Sequence, residues 1–472
     1  MNNPNLTTMD STPQSSTTGP HPKAAAVFTC VLGGLAGLMF GLDIGVISGA
    51  QQFIQHDFRI SDTTLEHIVS WMMLGAAAGA IGAGWLSSAL GRKKSLLWGS
   101  LVFVVASVIC GIGSSVQVLL IGRLILGVSI GILSFTAPLY LAEIAPENIR
   151  GAMVSIYQLM ITIGIFLAFL SDTAFSYSGN WHWMLGVIAI PGALFFVGVF
   201  ALPESPRWLM MRGLNEQATK VLTKLRGNTA VVQKEEAEIA EQLKIPQRGW
   251  HMFLENRNFR RSVGLGILLQ IVQQFTGMNV VMYYAPRIFQ DMGYHTEAQL
   301  WFTAIVGLVN VLATLIAIFL VDKWGRKPIL YTGFSVMAIG LGVVGTMMHL
   351  GIVTQPERLF TVAMLLVFIV GFAMSAGPLI WILCSEVQPI KGRDFGIAIS
   401  TLTNWVANFV VGFTFLSLLN NFGHAQTFWL YAGFNVVFLI ITFFLIPETK
   451  GVTLEHIERN LMAGKPLRKI GQ

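Results

Sequence analysis

The sequence predicts an all-α membrane protein with about twelve transmembrane helices, built as two related six-helix halves. Of its 472 residues, 54% are apolar and only 11% are charged, whereas soluble domains carry about a quarter charged residues. Stretches of about 18 or more mostly apolar residues are long enough to cross a hydrocarbon core of about 30 Å. A large soluble core would bury only a few of them. Such stretches lie near residues 24–50, 65–90, 95–114, 117–142, 152–172, 183–202, 262–289, 299–321, 328–350, 359–385, 395–419 and 425–446.

Positive residues follow the even-numbered spans of both halves and are scarce in the opposite loops. The basic loops contain Arg92, Lys93, Lys94, Lys323, Arg326, Lys327, Lys391 and Arg393. The opposite loops contain Arg59, Arg287 and Arg358. Because positive residues near span ends are retained on the cytoplasmic side, both termini are predicted to be cytoplasmic. The net charge of +6 reflects this bias and gives no reason to expect a nucleic-acid partner.

Five regions are expected along the chain. Residues 1–22 are rich in Asn, Thr, Ser and Pro and predict a disordered cytoplasmic tail, since they lack the features of a cleaved signal. Residues 23–202 and 259–446 form the two bundles, and residues 447–472 form a cytoplasmic tail. Residues 203–258 are charged and helix-prone, which favours a solvated cytoplasmic linker over a regulatory domain.

The two halves repeat the same motifs at the basic ends of their spans. Gly-Arg-Lys occurs at Gly91 and again at Gly325, and a Glu precedes an Arg by seven residues at Glu143 and at Glu386. Pro-Glu-Ser begins at residue 203 and Pro-Glu-Thr at residue 447. Such duplication is typical of transporters built from repeats.

These motifs resemble those of the sugar porter branch of the major facilitator superfamily, over residues 27–472. The segments FGLDIGVISGA, QQFTGMNVVMYYAP, LTNWVANF and VTLEHIERNLMAGK are similar to those of bacterial sugar–proton symporters. The resemblance implies the major facilitator fold, with twelve helices in two pseudo-symmetric bundles, in the bacterial cytoplasmic (inner) membrane. It implies that a monosaccharide enters together with a proton, most favourably galactose, with glucose possible and arabinose as the alternative. We expect a monomer.

One carboxyl group, Asp43, lies well inside a predicted span, where an ionisable side chain is costly and marks a functional candidate. Arg123 in span four is the only other interior charge of this kind, so the two are predicted partners. They form either a static ion pair or a switchable one. Burial favours the neutral acid and a nearby guanidinium favours the carboxylate, so movement of Arg123 would switch Asp43 between acid and base. The resemblance implicates both residues in proton coupling.

Recognition of sugar hydroxyls requires neutral groups that both donate and accept hydrogen bonds. One face of span seven carries Gln270, Gln273, Gln274 and Gly277, and Gly277 is expected to loosen the helix before Asn279 and Tyr283. Other spans carry Gln158 with Thr162, Asn310 with Thr314, and Asn404 with Asn408. Such amides either line a polar cavity or join helices, a role worth about 0.6 to 2 kcal/mol each. Their recurrence in four spans favours the cavity.

Trp381 follows Gly377-Pro378 in span ten, where the helix is expected to bend. Its indole is either a ring that stacks on a sugar or a Trp of the interfacial belt. The resemblance implies that the sugar is contacted by Gln158, Gln273, Gln274, Asn279, Tyr283, Asn310, Trp381, Asn404 and Trp405.

Span one carries a glycine at every fourth position, and span two carries two more. Small residues at this spacing allow close helix packing. The alternative is that the glycines beside Asp43 also leave room for its carboxyl to be reached. These residues are Gly33, Gly37, Gly41, Gly45, Gly49, Gly75 and Gly79.

Charged residues at the basic ends of the spans are candidates for ion pairs, and the default role is anchoring at the lipid boundary. The resemblance implies that they also close the cytoplasmic side as a gate. Ser88 stands where the second half has Asp322 and where the family often has an acid, so this anchor is expected to be weaker in the first half. The gate candidates are Arg92, Glu143, Arg150, Glu204, Asp322, Arg326, Glu386, Arg393 and Glu448.

No nucleophile constellation, metal-ligand spacing or phosphate loop occurs, so we expect a secondary active transporter without a cofactor or a metal site. The three cysteines, Cys30, Cys110 and Cys384, have no spacing that indicates a disulfide or a metal.

Three rival functions remain. A proton-independent facilitator would not need Asp43, a drug–proton antiporter would carry a GPxxGG-like motif that span five lacks, and a sugar sensor would carry a longer tail.

Overall fold

Long helices form the membrane-spanning part of the protein. The computed structural model describes residues 22–146, 149–244 and 249–472, so the predicted tail lies, apart from Pro22, outside the described residues. In these ranges, twelve helical segments are long and apolar enough to cross a membrane, which confirms the predicted number. Several helices extend past the apolar stretches, because a helix can continue into the polar boundary of a bilayer.

Spans one to six comprise seven helices, because span six has two parts. These are α1 (Pro22–Phe58), α2 (Asp62–Leu90), α3 (Arg92–Gly111), α4 (Val116–Ile144), α5 (Arg150–Ser176), α6 (Trp181–Gly186) and α7 (Ala189–Val199). Four shorter helices follow: α8 (Pro206–Met211), α9 (Asn215–Arg226), α10 (Thr229–Leu243) and α11 (Gly249–Glu255).

Spans seven to twelve comprise eight helices, because spans seven and ten are each divided in two. These are α12 (Arg257–Phe275) with α13 (Met278–Asp291), α14 (Thr296–Trp324), α15 (Arg326–Leu350), α16 (Gln355–Met374) with α17 (Ala376–Glu386), α18 (Arg393–Phe422) and α19 (His424–Phe444). A final helix, α20 (Leu454–Met462), follows span twelve.

Spans seven and ten are broken in the interior of the second half. In span seven the break is at Gly277, whose φ of 93° is unfavourable for other residues. In span ten it is at Ser375, with φ −130° and ψ −88°. The bend expected at Gly377-Pro378 therefore lies two to three residues earlier, because Pro378 is tolerated in the first turn of the new helix. Both breaks free backbone groups for other contacts.

The glycine repeat of span one packs α1 against α5. A Cβ at Gly41 would collide with the Ile161 carbonyl oxygen, and one at Gly45 would collide with the Ala168 Cβ. Asp43 lies two residues from each glycine, about 200° around the helix, and so faces away from this seam. The glycines therefore act in the packing of α1 against α5.

The halves meet mainly along two helix pairs. Within the first half the most extensive contacts are α1 with α5 and α2 with α4, and between the halves they are α2 with α18 and α5 with α14. Each seam between the halves thus joins one span of the first bundle to one span of the second.

A cluster of polar contacts holds the basic end of the first half. Arg92 donates from Nε and Nη2 to the two carboxylate oxygens of Glu143, both at 2.8 Å, and Ser205 Oγ donates to Glu143 Oε2 at 2.5 Å. Glu204 Oε1 accepts from the backbone nitrogens of Arg92, Lys93 and Ser205 at 2.9, 3.1 and 2.9 Å. We call this end of the bundle the basic face and the opposite end the far face.

The second half repeats this cluster with equivalent partners. Arg326 Nη2 donates to Glu386 Oε1 at 3.0 Å, and Thr449 Oγ1 donates to Glu386 Oε2 at 2.5 Å. Glu448 accepts from four backbone nitrogens, with Oε2 bound to Lys327 and Oε1 to the other three. Ser205 and Thr449 were not among the predicted gate residues, although the Ser or Thr that follows each Pro-Glu pair is a signal for them.

The glycine of each Gly-Arg-Lys motif is required by its neighbouring cluster. Gly91 has φ 97° and Gly325 has φ 95°. A Cβ at Gly91 would also collide with the Glu204 carboxylate, and one at Gly325 would crowd the Glu448 carboxylate. The two motifs of each half therefore form one structural unit.

Of the remaining gate candidates, only Arg393 has a described side chain. Arg393 Nη2 donates to the Gln388 carbonyl oxygen at 3.4 Å, and the side chains of Arg150 and Asp322 lie outside the described part of the structure. The Arg92–Glu143 and Arg326–Glu386 ion pairs each lie within one half.

The two matching carboxylates differ in their pKa. Burial raises the pKa of Glu204 above its ordinary value of 4.5, although three backbone N–H donors act in the opposite direction. Burial acts in the same direction at Glu448, but its backbone donors outweigh it and hold the pKa of Glu448 below 4.5. The Glu448 carboxylate thus adds stability above pH 4.5 that is lost as pH falls through its folded pKa. The contribution of Glu204 to the stability of the fold is largest below pH 4.5 and declines as pH rises through its folded pKa.

We predict that, at pH 7, Glu448→Gln lowers the melting temperature and Glu204→Gln does not. Glu448→Gln lowers it, because an amide nitrogen would then face the Lys327 N–H. Glu204→Gln leaves it unchanged or raises it, because Oε1 alone accepts the three donors. Both differences from wild type shrink towards pH 4. Thermal unfolding of the detergent-solubilised protein at the two pH values is the measurement, and changes of equal sign and size at pH 7 contradict the prediction.

Candidate functional site: a buried ion pair and an amide cluster

Asp43 and Arg123 form an ion pair between α1 and α4. Arg123 Nη1 donates to Asp43 Oδ1, and both side chains are fully buried. Arg123 Nε also donates to the Ile68 carbonyl oxygen at 3.3 Å, which ties α2 to the pair. The predicted pairing of these two residues is confirmed as a contact, and the site includes a third span.

The pair is incompletely satisfied. Among the described residues, Asp43 Oδ2 and Arg123 Nη2 have no hydrogen-bond partner. Removing one member of a buried pair leaves an uncompensated charge, which costs about 3 to 5 kcal/mol. The carboxylate therefore depends on Arg123 or on a proton, and its second oxygen remains available to receive one.

Two further carboxyl groups are buried in the spans, so the expectation that Arg123 is the only other interior charge is wrong. Asp172 in α5 is fully buried, and its Oδ2 accepts from the Gly49 backbone nitrogen at 3.0 Å. Glu66 in α2 is 1% exposed. Both lie at the edge of a predicted apolar stretch, where a charged residue is easily taken for a boundary residue.

Amide side chains of spans seven and eleven form a cluster at the break in span ten. Asn404 Nδ2 donates to Gln270 Oε1 at 2.6 Å and to Gln273 Oε1 at 2.8 Å. Gln273 Nε2 donates to the carbonyl oxygens of Ala376 and Gly377, each at 3.1 Å. The break thus supplies acceptors for an amide that also faces a neighbouring span.

The break in span seven carries a second set of polar contacts. Asn279 Nδ2 donates to Gln274 Oε1 at 2.6 Å across Gly277. Asn408 Nδ2 donates to the Tyr283 hydroxyl at 3.1 Å, and Tyr283 is fully buried. The polar face predicted for span seven therefore contacts span eleven.

The two predicted tryptophans have different surroundings. Trp405 is 3% exposed and lies against Phe40 of the first half, with ring centroids 5.3 Å apart. Trp381 in α17 is 38% exposed. Trp405 therefore packs between the halves, whereas the indole of Trp381 has an accessible surface.

Gln158 and Asn310 lie along the seam between α5 and α14. Thr173 Oγ1 donates to the Leu300 carbonyl oxygen at 3.4 Å, and Gly307 packs against Phe166. This antiparallel register places Gln158 and Asn310 within about two helical turns of each other. Among the described residues, no hydrogen bond joins either side chain to the amide cluster, so the polar side chains of the four spans do not form one hydrogen-bonded network.

Hydrogen bonds between the halves are concentrated at the far face. The structure is thus closed by polar contacts at the far face. These contacts are Gln51 to the Tyr283 carbonyl (2.5 Å), Gln52 to Gln299 (2.8 Å), Tyr177 to Glu297 (3.0 Å), Ser417 to Glu66 (2.6 and 2.7 Å) and Asn420 to Asp62 (2.7 Å).

Known proteins match this chain over nearly its whole length. Residues 29–461 match the family described as "Sugar (and other) transporter". The chain is 60% identical over 460 residues to the galactose-proton symporter of Escherichia coli K12, covering 97% of this chain and 99% of that protein. It is 55% identical over 449 residues to the arabinose-proton symporter of the same strain, covering 94% and 95%.

A solved structure shares the fold. The xylose transporter of E. coli, in a partially occluded inward-open conformation, matches with a TM-score of 0.80 and 30% identity, over 90% of this chain and 99% of that one. The arrangement of twelve spans in two halves, the motifs repeated at the basic face and these similarities agree. The chain belongs to the sugar (and other) transporter family and has the major facilitator fold.

Proposed function

We propose that this protein is a proton-coupled symporter that imports a monosaccharide, most favourably D-galactose, by alternating access. The observation that carries the proposal is the 60% identity to a galactose-proton symporter over 97% of the chain. The buried Asp43–Arg123 pair supports the proton-coupled part. Membership of a transporter family makes the protein a secondary active transporter and not an enzyme. Arabinose is the second candidate, because an arabinose-proton symporter is 55% identical.

In this proposal the basic face is cytoplasmic, as the distribution of positive residues favours, and the protein lies as a monomer in the bacterial inner membrane. Residues 23–202 and 259–446 are the two moving bundles. Residues 203–258 link them in the cytoplasm, where residues 447–472 also lie. Because the contacts between the halves lie at the far face, the structure is assigned to an inward-facing state. The clusters around Arg92 and Arg326 then anchor the span ends and form the gate when the basic face closes.

Asp43 is proposed to carry the coupled proton. When Asp43 is ionised, Arg123 compensates its charge. When Asp43 is protonated, the pair loses its charge attraction and Arg123 is free to strengthen its contact with α2. One proton moving down 100 mV supplies about 2.3 kcal/mol, enough for roughly a forty-fold sugar gradient. A single carboxyl is therefore energetically sufficient for coupling. A facilitator would not need this buried acid, so its presence favours the symporter.

The sugar is proposed to bind beside the two helix breaks. Amides that pair with one another in this structure, such as Gln273 with Asn404, would exchange those partners for sugar hydroxyls. Trp381 offers an exposed indole face for the apolar side of a pyranose. Gln158 and Asn310 would contribute from the α5–α14 seam. The complete proposed set is Gln158, Gln273, Gln274, Asn279, Tyr283, Asn310, Trp381, Asn404 and Trp405.

We predict that Asp43→Asn abolishes accumulation of galactose against its gradient in proteoliposomes with an imposed proton gradient, because Asn cannot take up the proton. Downhill exchange of sugar is retained at a reduced rate. Asp172→Asn is the matched control, since it also replaces a fully buried Asp and its amide oxygen still accepts from the Gly49 N–H. Labelled galactose, arabinose, glucose and xylose are compared. Symport is refuted if Asp43→Asn still accumulates sugar against its gradient. It is also refuted if the wild-type protein accumulates none of the four sugars.

The proposed binding residues separate into two classes of variant. Gln158→Ala is predicted to raise the KM for uptake about tenfold or more, the equivalent of one lost polar contact, without lowering the melting temperature. Gln273→Ala is predicted to lower the melting temperature as well, because the carbonyls of Ala376 and Gly377 lose their donor and the amide of Asn404 loses one of its two acceptors. Uptake kinetics and thermal unfolding distinguish the two. An unchanged KM for Gln158→Ala removes that residue from the proposed site.

A further inference from the structure

Glu66 is a buried carboxyl group that receives its hydrogen bonds from the other half of the molecule. It lies in the second turn of α2 at the far face and is 1% exposed. Ser417 of α18 donates its backbone N–H to Glu66 Oε1 at 2.7 Å and its hydroxyl to Oε2 at 2.6 Å. Both carboxyl oxygens are thus engaged by one residue across the seam between the halves.

No basic side chain of the described part of the chain forms an ion pair with Glu66. The nearby Asp62 is acidic, and it is itself engaged by Asn420, Gln55 and Arg287. A buried carboxyl group without hydrogen-bond donors costs several kcal/mol. The burial of Glu66 is therefore tolerated only while Ser417 is in place.

Separation of α2 from α18 removes both donors of Glu66 at once. Water compensates for them only when the far face has opened enough to hydrate the carboxyl group. A partly opened, dry arrangement is disfavoured, since Glu66 then has neither Ser417 nor water. The contact thus makes closure of the far face close to all-or-none.

We propose that Glu66 and Ser417 form the latch that holds the far face shut, and that Glu66 is a positioning residue that sets the balance between the two facing states. This inference rests on the proposed alternating access. It assigns Glu66 no contact with sugar and no role in carrying the proton. Its acceptor oxygens, and not its charge, hold α18 in place.

A cysteine pair across the same seam reports closure directly. A Cβ at Gly412 of α18 would lie 3.9 Å from the Ser70 Cβ of α2, within the range of about 3.5 to 4.5 Å found in disulfides. Ser70→Cys with Gly412→Cys is therefore expected to cross-link on mild oxidation when the far face is closed. A protease site inserted between α10 and α11 reveals the cross-link, since linked halves migrate together after cleavage. Native Cys30, Cys110 and Cys384 are buried.

Glu66→Leu in this background is expected to slow cross-linking at least about fivefold, as expected from the loss of a strong hydrogen bond. Glu66→Gln is expected to restore the wild-type rate, because its oxygen accepts from the Ser417 N–H and its nitrogen donates to the Ser417 hydroxyl. Ser417→Ala, which keeps the backbone donor, is expected to be intermediate. Glu357→Gln is the control, since this half-buried far-face carboxylate caps its own helix.

An unchanged cross-linking rate in folded Glu66→Leu overturns the latch. If that variant does not fold, Ser417→Ala decides, and a rate equal to wild type overturns the proposal. A slow rate in Glu66→Gln overturns the claim that hydrogen bonding and not charge holds the helices. Because cross-linking is measured without sugar or a proton gradient, its result stands apart from the transport assays. Loss of transport with normal cross-linking refutes the proposed function and leaves the latch intact.

Discussion

The high cost of an unpaired charge or polar group in a bilayer is the constraint on which this molecule depends. In the first half this cost keeps Asp43 paired with Arg123. The only stable alternatives for Asp43 are a proton or another partner. At the far face it makes Glu66 depend on a hydroxyl and a backbone nitrogen from the other half. The same cost that stabilises these contacts when they are made gives each of them two distinct states.

The two halves share their boundary chemistry and differ in their interiors. At the basic face, Arg92 with Glu143 and Arg326 with Glu386 are equivalent pairs, and each is completed by a Ser or Thr hydroxyl. Inside, the first half contains the ion pair, and the second contains the broken spans with their amides. This division fits a transporter in which proton and sugar are handled by different halves, so that coupling requires the halves to move together.

Much of this architecture could be predicted because it follows from length and repetition. Apolar length gives the twelve spans, and the duplicated Gly-Arg-Lys and Pro-Glu motifs anticipate two clusters with equivalent partners. The partner of Asp43 was predictable because few charges lie within the spans.

Other features depend on information that periodicity does not contain. Glu66 and Asp172 lie at the edges of apolar stretches, so their burial depends on neighbouring helices. The break at Ser375 has no signal at the residue itself, because the proline that indicates a bend, Pro378, lies three residues downstream. A helical face identifies the amides that point inward, such as Gln273, but cannot show whether they bind one another or a ligand.

The central claim, that sugar entry is coupled to a proton carried by Asp43, is tested most directly by following protons. Galactose is added to de-energised cells that contain the protein, in lightly buffered medium. Proton coupling predicts that the medium becomes more alkaline as sugar enters, and that this change is absent with Asp43→Asn. Entry of galactose without any change in external pH would contradict it.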